Sequence, residues 1–352
     1  MYEVLGTPDR PTFGLDTFGD VAPTAGPAAE PTEIRNVVAE AELADRVGLD
    51  YIGLGEHHRD DYSLSAPDVV LAAIAARTSR IRVGTGVTVL SSDDPVRVYE
   101  RFATLDALSE GRAEIQVGRG SFTESFPLFG YALEDYERLF SEKLDLLTHL
   151  LEEKPVTWSG TVRGPLRDQL VHPRTHSGRL PVWVGVGGTP QSVVRAAAYG
   201  LPLVLAVIGG SPDQFVPMAD LYRRALAEAR HPELPIGMHS PGHVAATDEQ
   251  ARDEHFPHHQ EVFGRIGRER GWGAPMTRLQ YDATASREGA LFVGSPETVA
   301  QKIARSVRML GLSRFQLKYS VGALPHEKRL ESIRLYGEEV VPRVRELLAQ
   351  GS

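Results

Sequence analysis

The sequence predicts an α/β protein built as a (β/α)8 TIM barrel, and three observations support this fold class. Short β-rich runs alternate with helical patterns along almost the whole of the 352-residue chain. Eight such strand–helix units fit a closed parallel barrel better than an open doubly wound sheet, because no stretch resembles a switch point or an extra domain. No long internal repeat or linker divides the chain. We therefore expect residues 1–352 to form a single domain.

The strands are predicted from short runs rich in apolar, β-branched and aromatic residues. They are Phe13–Phe18, Tyr51–Leu54, Ile81–Val89, Ala113–Val117, Val182–Val186, Leu203–Ile208, Ile236–Ala246 and Arg314–Tyr319. The helices are predicted from apolar residues at helical spacing and from terminal signals such as Gly48. They are Thr32–Val47, Ala66–Thr78, Pro95–Leu108, Leu133–Leu151, Pro190–Tyr199, Pro212–Ala229, Glu249–Arg268 and His326–Leu348.

An insertion is expected between the seventh and eighth strands, at about residues 267–311. It contains a predicted additional helix from Pro296 to Met309 and a loop from Gly271 to Pro275. The loop around Trp272 could form a lid over the barrel, or it could simply cover the barrel wall.

Composition and charge exclude several classes of function. Forty-seven acidic and 38 basic residues give a formal net charge of −9, so the overall field repels nucleic-acid phosphates and anionic lipid. The absence of cysteine excludes disulfides, cysteine-ligated metals and thiol nucleophiles. No run is long enough to span a bilayer, and the N-terminus does not resemble a signal peptide. We expect a cytoplasmic protein with no nucleic-acid partner and no membrane association.

Candidate functional residues follow the strands, because barrel enzymes place their chemistry where strands end. The second strand is followed by titratable groups that include His57 and His58. An ordinary surface turn is the alternative interpretation of this cluster. Gly84 and Gly86 interrupt the apolar third strand, which indicates either close approach of a ligand or a tight bend.

Two further loops have the composition of a phosphate site. Gly118-Arg119-Gly120 combines a guanidinium with glycines that leave backbone amides accessible. Gly187-Gly188-Thr189 leads directly into a helix, whose N-terminal amides and dipole also favour an anion. Together the two loops predict an anion site more strongly than either loop alone.

Other catalytic classes lack their motifs. The sequence has no P-loop, no complete Gly-x-Gly-x-x-Gly fingerprint and no Gly-x-Ser-x-Gly elbow. A metal-dependent hydrolase would gather His and Asp at several strand ends, and only His57, His58 and His239 lie suitably. We expect no metal site, and a metal hydrolase remains a weaker alternative.

Taken in order, these motifs resemble the bacterial luciferase-like, flavin-dependent monooxygenases over about the whole chain. The residues that carry the resemblance are Gly55–His58, Val83–Leu90, Asp94–Arg97, Leu105–Asp106, Ser109–Arg112, Gly118–Gly120, Pro181–Val184, Gly200–Pro202 and Val293–Glu297.

The resemblance implies FMN, or less favourably a deazaflavin, at the C-terminal mouth of the barrel. It implies a cis peptide at Gly86–Val87 against the flavin ring, and a phosphate held by Arg119 and the Gly187–Thr189 turn. It also implies that His57 acts as a general base or hydrogen-bond donor, since imidazole changes protonation state near neutral pH. The cofactor-binding residues it implies are Gly86, Val87, Thr88, Gly118, Arg119, Gly120, Gly187, Gly188 and Thr189.

The substrate cannot be inherited from the family, but barrel geometry indicates which side chains face the mouth. These candidates are Asp16, Phe18, His58, Tyr62, Phe122, Phe126, His239 and Tyr319. For the aromatic residues, core packing is the alternative.

The expected activity is a monooxygenase that uses reduced FMN and O2 on a small organic molecule. A separate flavin reductase would supply the reduced flavin, because no nicotinamide motif is present, and the resemblance implies a homodimer through the second and third helices. The alternatives are a deazaflavin-dependent dehydrogenase and a non-catalytic flavin-binding protein.

Overall fold

The computed structural model describes residues 5–120, 122–271, 274 and 276–350. The strands within this part of the chain are short, and most are buried. They are β1 (Thr12–Thr17), β2 (Tyr51–Leu54), β3 (Arg82–Thr85), β4 (Thr88–Val89), β5 (Ala113–Gly118), β6 (Val156–Trp158), β7 (Leu166–Gln169), β8 (Val182–Val186), β9 (Leu203–Ala206), β10 (Ile236–Val244), β11 (Phe292–Gly294) and β12 (Arg314–Lys318).

The helices alternate with these strands along the chain. They are α1 (Ala29–Arg46), α2 (Pro67–Ala75), α3 (Pro95–Leu108), α4 (Ser125–Phe129), α5 (Tyr136–Leu150), α6 (Pro190–Ala198), α7 (Val216–Glu228), α8 (Asp248–Glu269), α9 (Arg278–Thr284), α10 (Pro296–Leu310), α11 (His326–Leu335) and α12 (Val341–Ala349). Among the described residues, none of the helices combines the length and apolar character required to cross a membrane.

The strands close into a parallel barrel. Its order is β1, β2, β3, β5, β8, β9, β10 and β12, and the last of these pairs in parallel with β1 to close the ring. β4 continues the third barrel strand and pairs with β5. The predicted (β/α)8 fold is therefore confirmed.

Several predicted boundaries were wrong. The third strand is interrupted at Gly86–Val87, so β3 and β4 replace one continuous strand over Ile81–Val89. The helix predicted over Leu133–Leu151 is preceded by the short α4 and begins as a 3-10 turn. An antiparallel hairpin, β6 with β7, lies in the connection before β8. The final helix contains a π-helical segment over Tyr336–Val340.

Helix ends follow the local chemistry of the sequence. The Asp94 carboxylate accepts hydrogen bonds from two amides at the start of α3, and Pro95 takes the first helical position, where its missing N–H is not needed. At α10, the Ser295 hydroxyl caps the N-terminus, and Gly311 ends the helix with φ of 64°. Both helices bury one apolar face against the barrel.

The two faces of a barrel strand pack against different neighbours, and β12 illustrates this. Arg314 and Gln316 reach residues of β5 across the barrel interior. Phe315 and Leu317 belong to the main apolar core. Because strand side chains alternate with a period of two, the polar residues face the barrel interior and the apolar residues face the helices.

A buried ion-pair layer fills the base of the barrel. The Glu114 carboxylate accepts hydrogen bonds from Arg314 at 2.7 and 3.2 Å, Arg82 at 2.5 Å and the Trp183 indole at 2.8 Å. Burial opposes ionisation of Glu114, but the two arginines outweigh it and lower the pKa to about 2. The Arg314 guanidinium also lies 4.5 Å from the Tyr51 ring centroid.

Between β10 and β12 the chain forms α8, α9, the short β11 and α10. β11 extends the sheet by pairing in parallel with the end of β10. This segment brings part of α8 and α9 over the C-terminal end of the barrel, where they line the main cavity. The proposed lid at Trp272 lies outside the described residues.

Candidate active site

A cavity of about 1050 Å³ opens at the C-terminal ends of the barrel strands. Strand ends and the loops after them form one side, and the segment between β10 and β12 forms the other. The predicted site residues on its wall are Phe18, His57, His58, Gly86, Val87, Gly118, Arg119, Gly120, Phe122, Gly187 and His239.

Glycine backbone forms much of the strand side of the cavity. The peptide between Gly86 and Val87 is cis, as the family resemblance implied. A Cβ on Gly118 would lie 2.6 Å from Val87 Cγ2, and one on Gly185 would lie 2.9 Å from Val87 Cγ1. Glycine is therefore required for the close approach of the neighbouring strands around Val87.

His57 is paired with a carboxylate. Its Nδ1 lies 3.5 Å from Glu124 Oε1, which is ion-pair distance and longer than a typical hydrogen bond. Burial opposes ionisation of Glu124, but interactions with His57 and with backbone amides outweigh it and lower its pKa. The other oxygen, Oε2, is buried without a hydrogen-bond partner among the described residues. The arrangement places an imidazole beside a carboxylate at the cavity wall, which is the geometry of an acid–base pair.

The neighbouring His58 is held differently. Its Nε2 lies 3.0 Å from Glu56 Oε1, and the other Glu56 oxygen accepts the amide of Val89 at 2.8 Å. His58 also contacts the Phe129 ring edge-on at 5.0 Å. These contacts tie the loop after β2 to the interrupted third strand.

Aromatic rings surround His57. Its ring centroid lies 4.5 Å from Tyr62, 4.7 Å from Phe18 and 5.4 Å from Phe122. Tyr62 does not line the cavity, and it packs behind the imidazole. Such rings restrict the access of water to the reacting groups.

A second imidazole lies elsewhere on the wall. His239 lines the cavity, and its Nδ1 is 2.7 Å from Asp16 Oδ2. Asp16 is fully buried and lies behind the wall. The prediction that its side chain faces the cavity was therefore wrong. The Phe18 ring lies near-parallel to His239 at 6.2 Å.

The cationic side chain of Arg119 lies at one end of the cavity, and Arg195 lies near it without lining the cavity. Arg119 pairs with Glu137 and donates to Thr189 Oγ1 at 3.3 Å. Arg195 pairs with the other Glu137 oxygen at 2.8 Å, and its Nη1 is buried without a partner among the described residues. Gly188 and Thr189 lead into α6 beside this end, although neither lines the cavity. The arrangement can bind an anion between the arginines and the helix N-terminus.

The opposite side of the cavity is more apolar. Phe263, Met276 and Leu291 line it, together with His259. Burial lowers the pKa of His259 to about 4, so this imidazole is neutral near pH 7.

Three further predicted residues do not line the cavity. The Tyr319 hydroxyl donates to Glu40 Oε2 on α1 at 2.6 Å, because Tyr319 projects from β12 toward the helix layer. Phe126 is buried and stacks with Tyr136 at 5.5 Å. Thr88 donates a hydrogen bond to Thr85 behind the strand surface. The expectation that Tyr319 and Phe126 face the mouth is corrected by these positions.

Sequence reasoning missed Glu124 and Arg195. Glu124 lies six residues beyond the end of β5. The prediction considered only the residues directly after that strand. Arg195 lies on α6, one turn or more after the loop that predicted the anion site. Both residues are charged and lie at or near the start of the helix that follows a strand. Considering the first turns of these helices would therefore have identified them.

The candidate metal ligands do not converge on one point. Within residues 5–120, 122–271, 274 and 276–350, no three His, Asp or Glu side chains come together in a group that could hold a metal ion. His239 pairs with Asp16, and His58 pairs with Glu56.

Known proteins resemble the chain over most of its length. A family model described as luciferase-like monooxygenase matches residues 13–314. The N-acetyl-S-alkylcysteine monooxygenase of Bacillus subtilis (strain 168) is 27% identical over 287 residues, which cover 77% of this chain and 82% of that protein. Crystallised monooxygenase RslO1 from Streptomyces bottropensis is 26% identical with a TM-score of 0.81, and the match covers 94% of this chain and 99% of that one.

Two structures of lower identity share the fold and are described with different cofactors. The oxygenating constituent of 3,6-diketocamphane monooxygenase from Pseudomonas putida, in complex with FMN, is 18% identical with a TM-score of 0.76, and covers 95% of this chain and 98% of its own. The coenzyme F420 dependent tetrahydromethanopterin reductase from Methanopyrus kandleri is 20% identical with a TM-score of 0.68. That match covers 95% of this chain and 99% of the reductase chain. At these identities the two structures support the fold alone. The family match over most of the barrel shows that this chain belongs to the luciferase-like monooxygenase family.

Proposed function

We propose that the protein is a monooxygenase that uses reduced FMN and O2 to oxygenate a small organic substrate. The observation that carries the proposal is one cavity that combines a glycine-lined wall, a cationic end and the His57–Glu124 pair. These features suit the flat ring, the phosphate and the reactive edge of a flavin, in that order. When bound, reduced flavin supplies the electrons for oxygen activation, and the protein supplies position, electrostatics and exclusion of water.

The fit to FMN rests on the donors at the cationic end of the cavity. Arg119 lines the cavity and donates to Thr189 Oγ1 at the start of α6, and Arg195 binds the same carboxylate as Arg119, that of Glu137. Gly187, Gly188 and Thr189 would add backbone amides and a hydroxyl to this phosphate site.

The flavin ring would lie against the glycine-lined strand ends. Gly86, Val87, Gly118 and Gly120 form this surface, and Thr88 supports it through its bond to Thr85. His57 would then hold or transfer a proton at the edge of the ring, with Glu124 stabilising its charged state.

The remaining cavity wall would hold the substrate. His58, Phe122 and His239 line it directly, while Asp16 and Tyr62 support these residues from behind. The aromatic character of this wall suits an apolar organic molecule.

A deazaflavin-dependent dehydrogenase is the second candidate, since the fold also occurs in an F420-dependent reductase. A non-catalytic flavin-binding protein is the third. The buried His57–Glu124 pair argues against it, because flavin storage needs no proton-transfer group.

The proposal includes a separate flavin reductase, a cytoplasmic location and a homodimer. The second and third helices would form the dimer interface, and Val69 on α2 is 67% exposed while Leu108 on α3 is 60% exposed. Exposed apolar side chains on neighbouring helices favour association.

Ligand-dependent thermal stability tests the cofactor assignment. We expect FMN and reduced FMN at about one hundred times their Kd to raise the Tm by roughly 5 °C, because a ligand that binds only the native state stabilises it. Riboflavin should give a smaller shift, because it lacks the phosphate. Stabilisation by coenzyme F420 alone would favour the second candidate, and stabilisation by divalent metal ions alone would contradict the flavin proposal.

The same measurement on Arg119→Gln tests the phosphate site. In this variant, the Tm shift caused by FMN should exceed the shift caused by riboflavin by much less than it does in the wild type. Arg138→Gln is the matched control, because Arg138 is an exposed arginine that pairs with Asp135 and does not line the cavity.

A further inference from the structure

Asp16 and His239 form a further carboxylate–imidazole pair in the barrel, separate from His57–Glu124 and from His58–Glu56. Asp16 Oδ2 lies 2.7 Å from His239 Nδ1, which is a short and therefore strong hydrogen-bond distance. Asp16 is 0% exposed and His239 is 6% exposed. The pair joins β1 to β10, and only the imidazole lines the cavity.

The backbone around Asp16 is shaped to leave room for its carboxylate. A Cβ on Gly53 would overlap Asp16 Oδ1, and a Cβ on Gly86 would lie 2.9 Å from the same atom. The two glycines lie on the neighbouring second and third barrel strands. The carboxylate is thus confined behind the cavity wall, and its Oδ1 has no hydrogen-bond partner among the described residues.

The contact with the buried Asp16 carboxylate occupies Nδ1 of His239 and leaves Nε2 as the ring nitrogen available to a molecule in the cavity. An ionised Asp16 carboxylate can only accept a hydrogen bond, and the proton of the 2.7 Å contact then lies on His239 Nδ1. In the neutral imidazole the other nitrogen, Nε2, then has a free lone pair. The described residues supply no hydrogen-bond partner for Nε2. Nε2 is therefore a proton acceptor at the wall of the cavity.

We propose that Asp16 is a positioning residue that makes His239 a proton acceptor for a hydroxyl group on an aromatic substrate. This inference rests on the proposed function, because it assigns the substrate class of the same site. The ring of Phe18 lies near-parallel to His239 and contacts His57 edge-on, so the wall beside Nε2 is aromatic and an aromatic substrate can pack against it. A hydroxyl on that substrate satisfies Nε2, whereas an ether in its place leaves the nitrogen unpaired.

The proton transfer conserves atoms and electrons. The substrate O–H bond breaks, the proton forms a bond to His239 Nε2, and the electron pair remains on the substrate oxygen. Asp16 stabilises the resulting imidazolium through the hydrogen bond at Nδ1. The oxyanion is a better nucleophile toward an oxidant than the neutral hydroxyl compound.

Nitrogen NMR of the flavin-free protein tests the role of Asp16. Protein labelled with ¹⁵N-histidine gives long-range proton–nitrogen spectra that distinguish the two tautomers, and a His239→Gln variant assigns the signals. We expect wild-type His239 to carry its proton on Nδ1, and Asp16→Asn to lose this preference. His326, which pairs with Glu40, serves as the internal control. A wild-type His239 that is protonated only on Nε2 would overturn the proposal, whether or not the variant folds.

Two probe compounds test the substrate class in the same spectra. 1-Naphthol carries a hydroxyl, and 1-methoxynaphthalene lacks the donor. We expect 1-naphthol to shift the Nε2 resonance of His239 and the ether to leave it in place. An equal shift from both compounds, or no shift from either at their solubility limits, overturns the hydroxyarene assignment. No flavin or oxygen is used, so a failure of the proposed monooxygenase function remains a separate result.

Discussion

At the residue scale, the orientation of His57 is determined by contacts from several elements. Phe18 and Tyr62 pack against its ring, Phe122 contacts its edge, and Glu124 lies beside Nδ1. These contacts arise from separate loops, so the imidazole is held in place before any ligand binds. Pre-organisation of this kind is what an acid–base group needs to act at one atom of a bound molecule.

His57→Gln tests the proposed proton-transfer role. The variant should still bind reduced FMN, because the proposed phosphate contacts come from Arg119 and the Gly187–Thr189 turn and not from His57. The rate at which O2 oxidises bound reduced FMN, measured by stopped-flow absorbance, should fall roughly 100-fold or more, as is typical when a general acid or base is removed.

Two other variants make this result specific. Glu124→Gln should lower the same rate by a smaller factor, because it removes the charge that stabilises protonated His57. His149→Gln is the control, since His149 is half exposed on α5 and lies away from the cavity. An unchanged oxidation rate in His57→Gln would remove His57 from the proposed chemistry.

The direction of individual side chains was the least predictable property of the site. His57 and Arg119 were predicted because they directly follow strands, and both line the cavity. Tyr319 was misplaced, although its strand carries the information needed. Arg314, Gln316 and Lys318 are polar and alternate with apolar residues, which places residue 319 on the helix side of β12. Asp16 required knowledge of tertiary packing, because its surroundings come from other strands.

At the element scale, β5 and β12 are joined across the barrel by Glu114 and Arg314. Both side chains are fully buried, and Arg82 from β3 also binds the carboxylate. Removing one partner of such a pair leaves an uncompensated charge inside the protein. The ion-pair layer therefore makes the closed barrel depend on one carboxylate.

Glu114→Gln should destabilise the protein by about 3–5 kcal/mol at pH 7, as expected for a broken buried ion pair. The folded-state pKa of Glu114 is lowered from 4.5 to about 2. The wild-type stabilisation is therefore complete above pH 4.5 and is lost progressively as the pH falls toward 2. Urea unfolding at pH 7 and at pH 3 measures this effect. The wild type and the variant should differ less in free energy of unfolding at pH 3 than at pH 7.

A matched carboxylate provides the control for that experiment. Glu338→Gln removes an exposed partner of Arg334 on the protein surface, so we expect a change of about 1 kcal/mol or less at pH 7. Equal stabilities of wild type and Glu114→Gln at pH 7 would contradict the role of the buried layer.

The predicted elements were most accurate where the sequence contains both a cap and an apolar face. Helix α3 begins and ends at the predicted residues, because Asp94 and Pro95 define its start. The β6–β7 hairpin was missed because β7 is largely exposed and has no alternating apolar pattern. The break in the third strand follows from contacts between Val87 and neighbouring strands, which a local pattern does not contain.

At the scale of the whole molecule, the net charge of −9 leaves anion binding to local groups. Arg119 lies at one end of the cavity, and Arg195 on α6 binds the same carboxylate, that of Glu137. Local groups of this kind determine anion binding more strongly than the summed charge, because solvent screens distant charges.

The two ends of the barrel have different roles in this account. The base holds the Glu114–Arg314 layer, which stabilises the fold, and the C-terminal end holds the cavity. We propose that this division lets the single barrel domain vary its loops for a new substrate without changing the packing beneath them.

A crystal structure of the protein with FMN, bound at a stoichiometry measured beforehand, tests the central claim most directly. We expect one flavin in the cavity, with its phosphate contacting Arg119 and its ring against Gly86 and Val87 near His57. FMN bound elsewhere on the protein, or no flavin in the cavity of crystals grown from the stoichiometric complex, would contradict it.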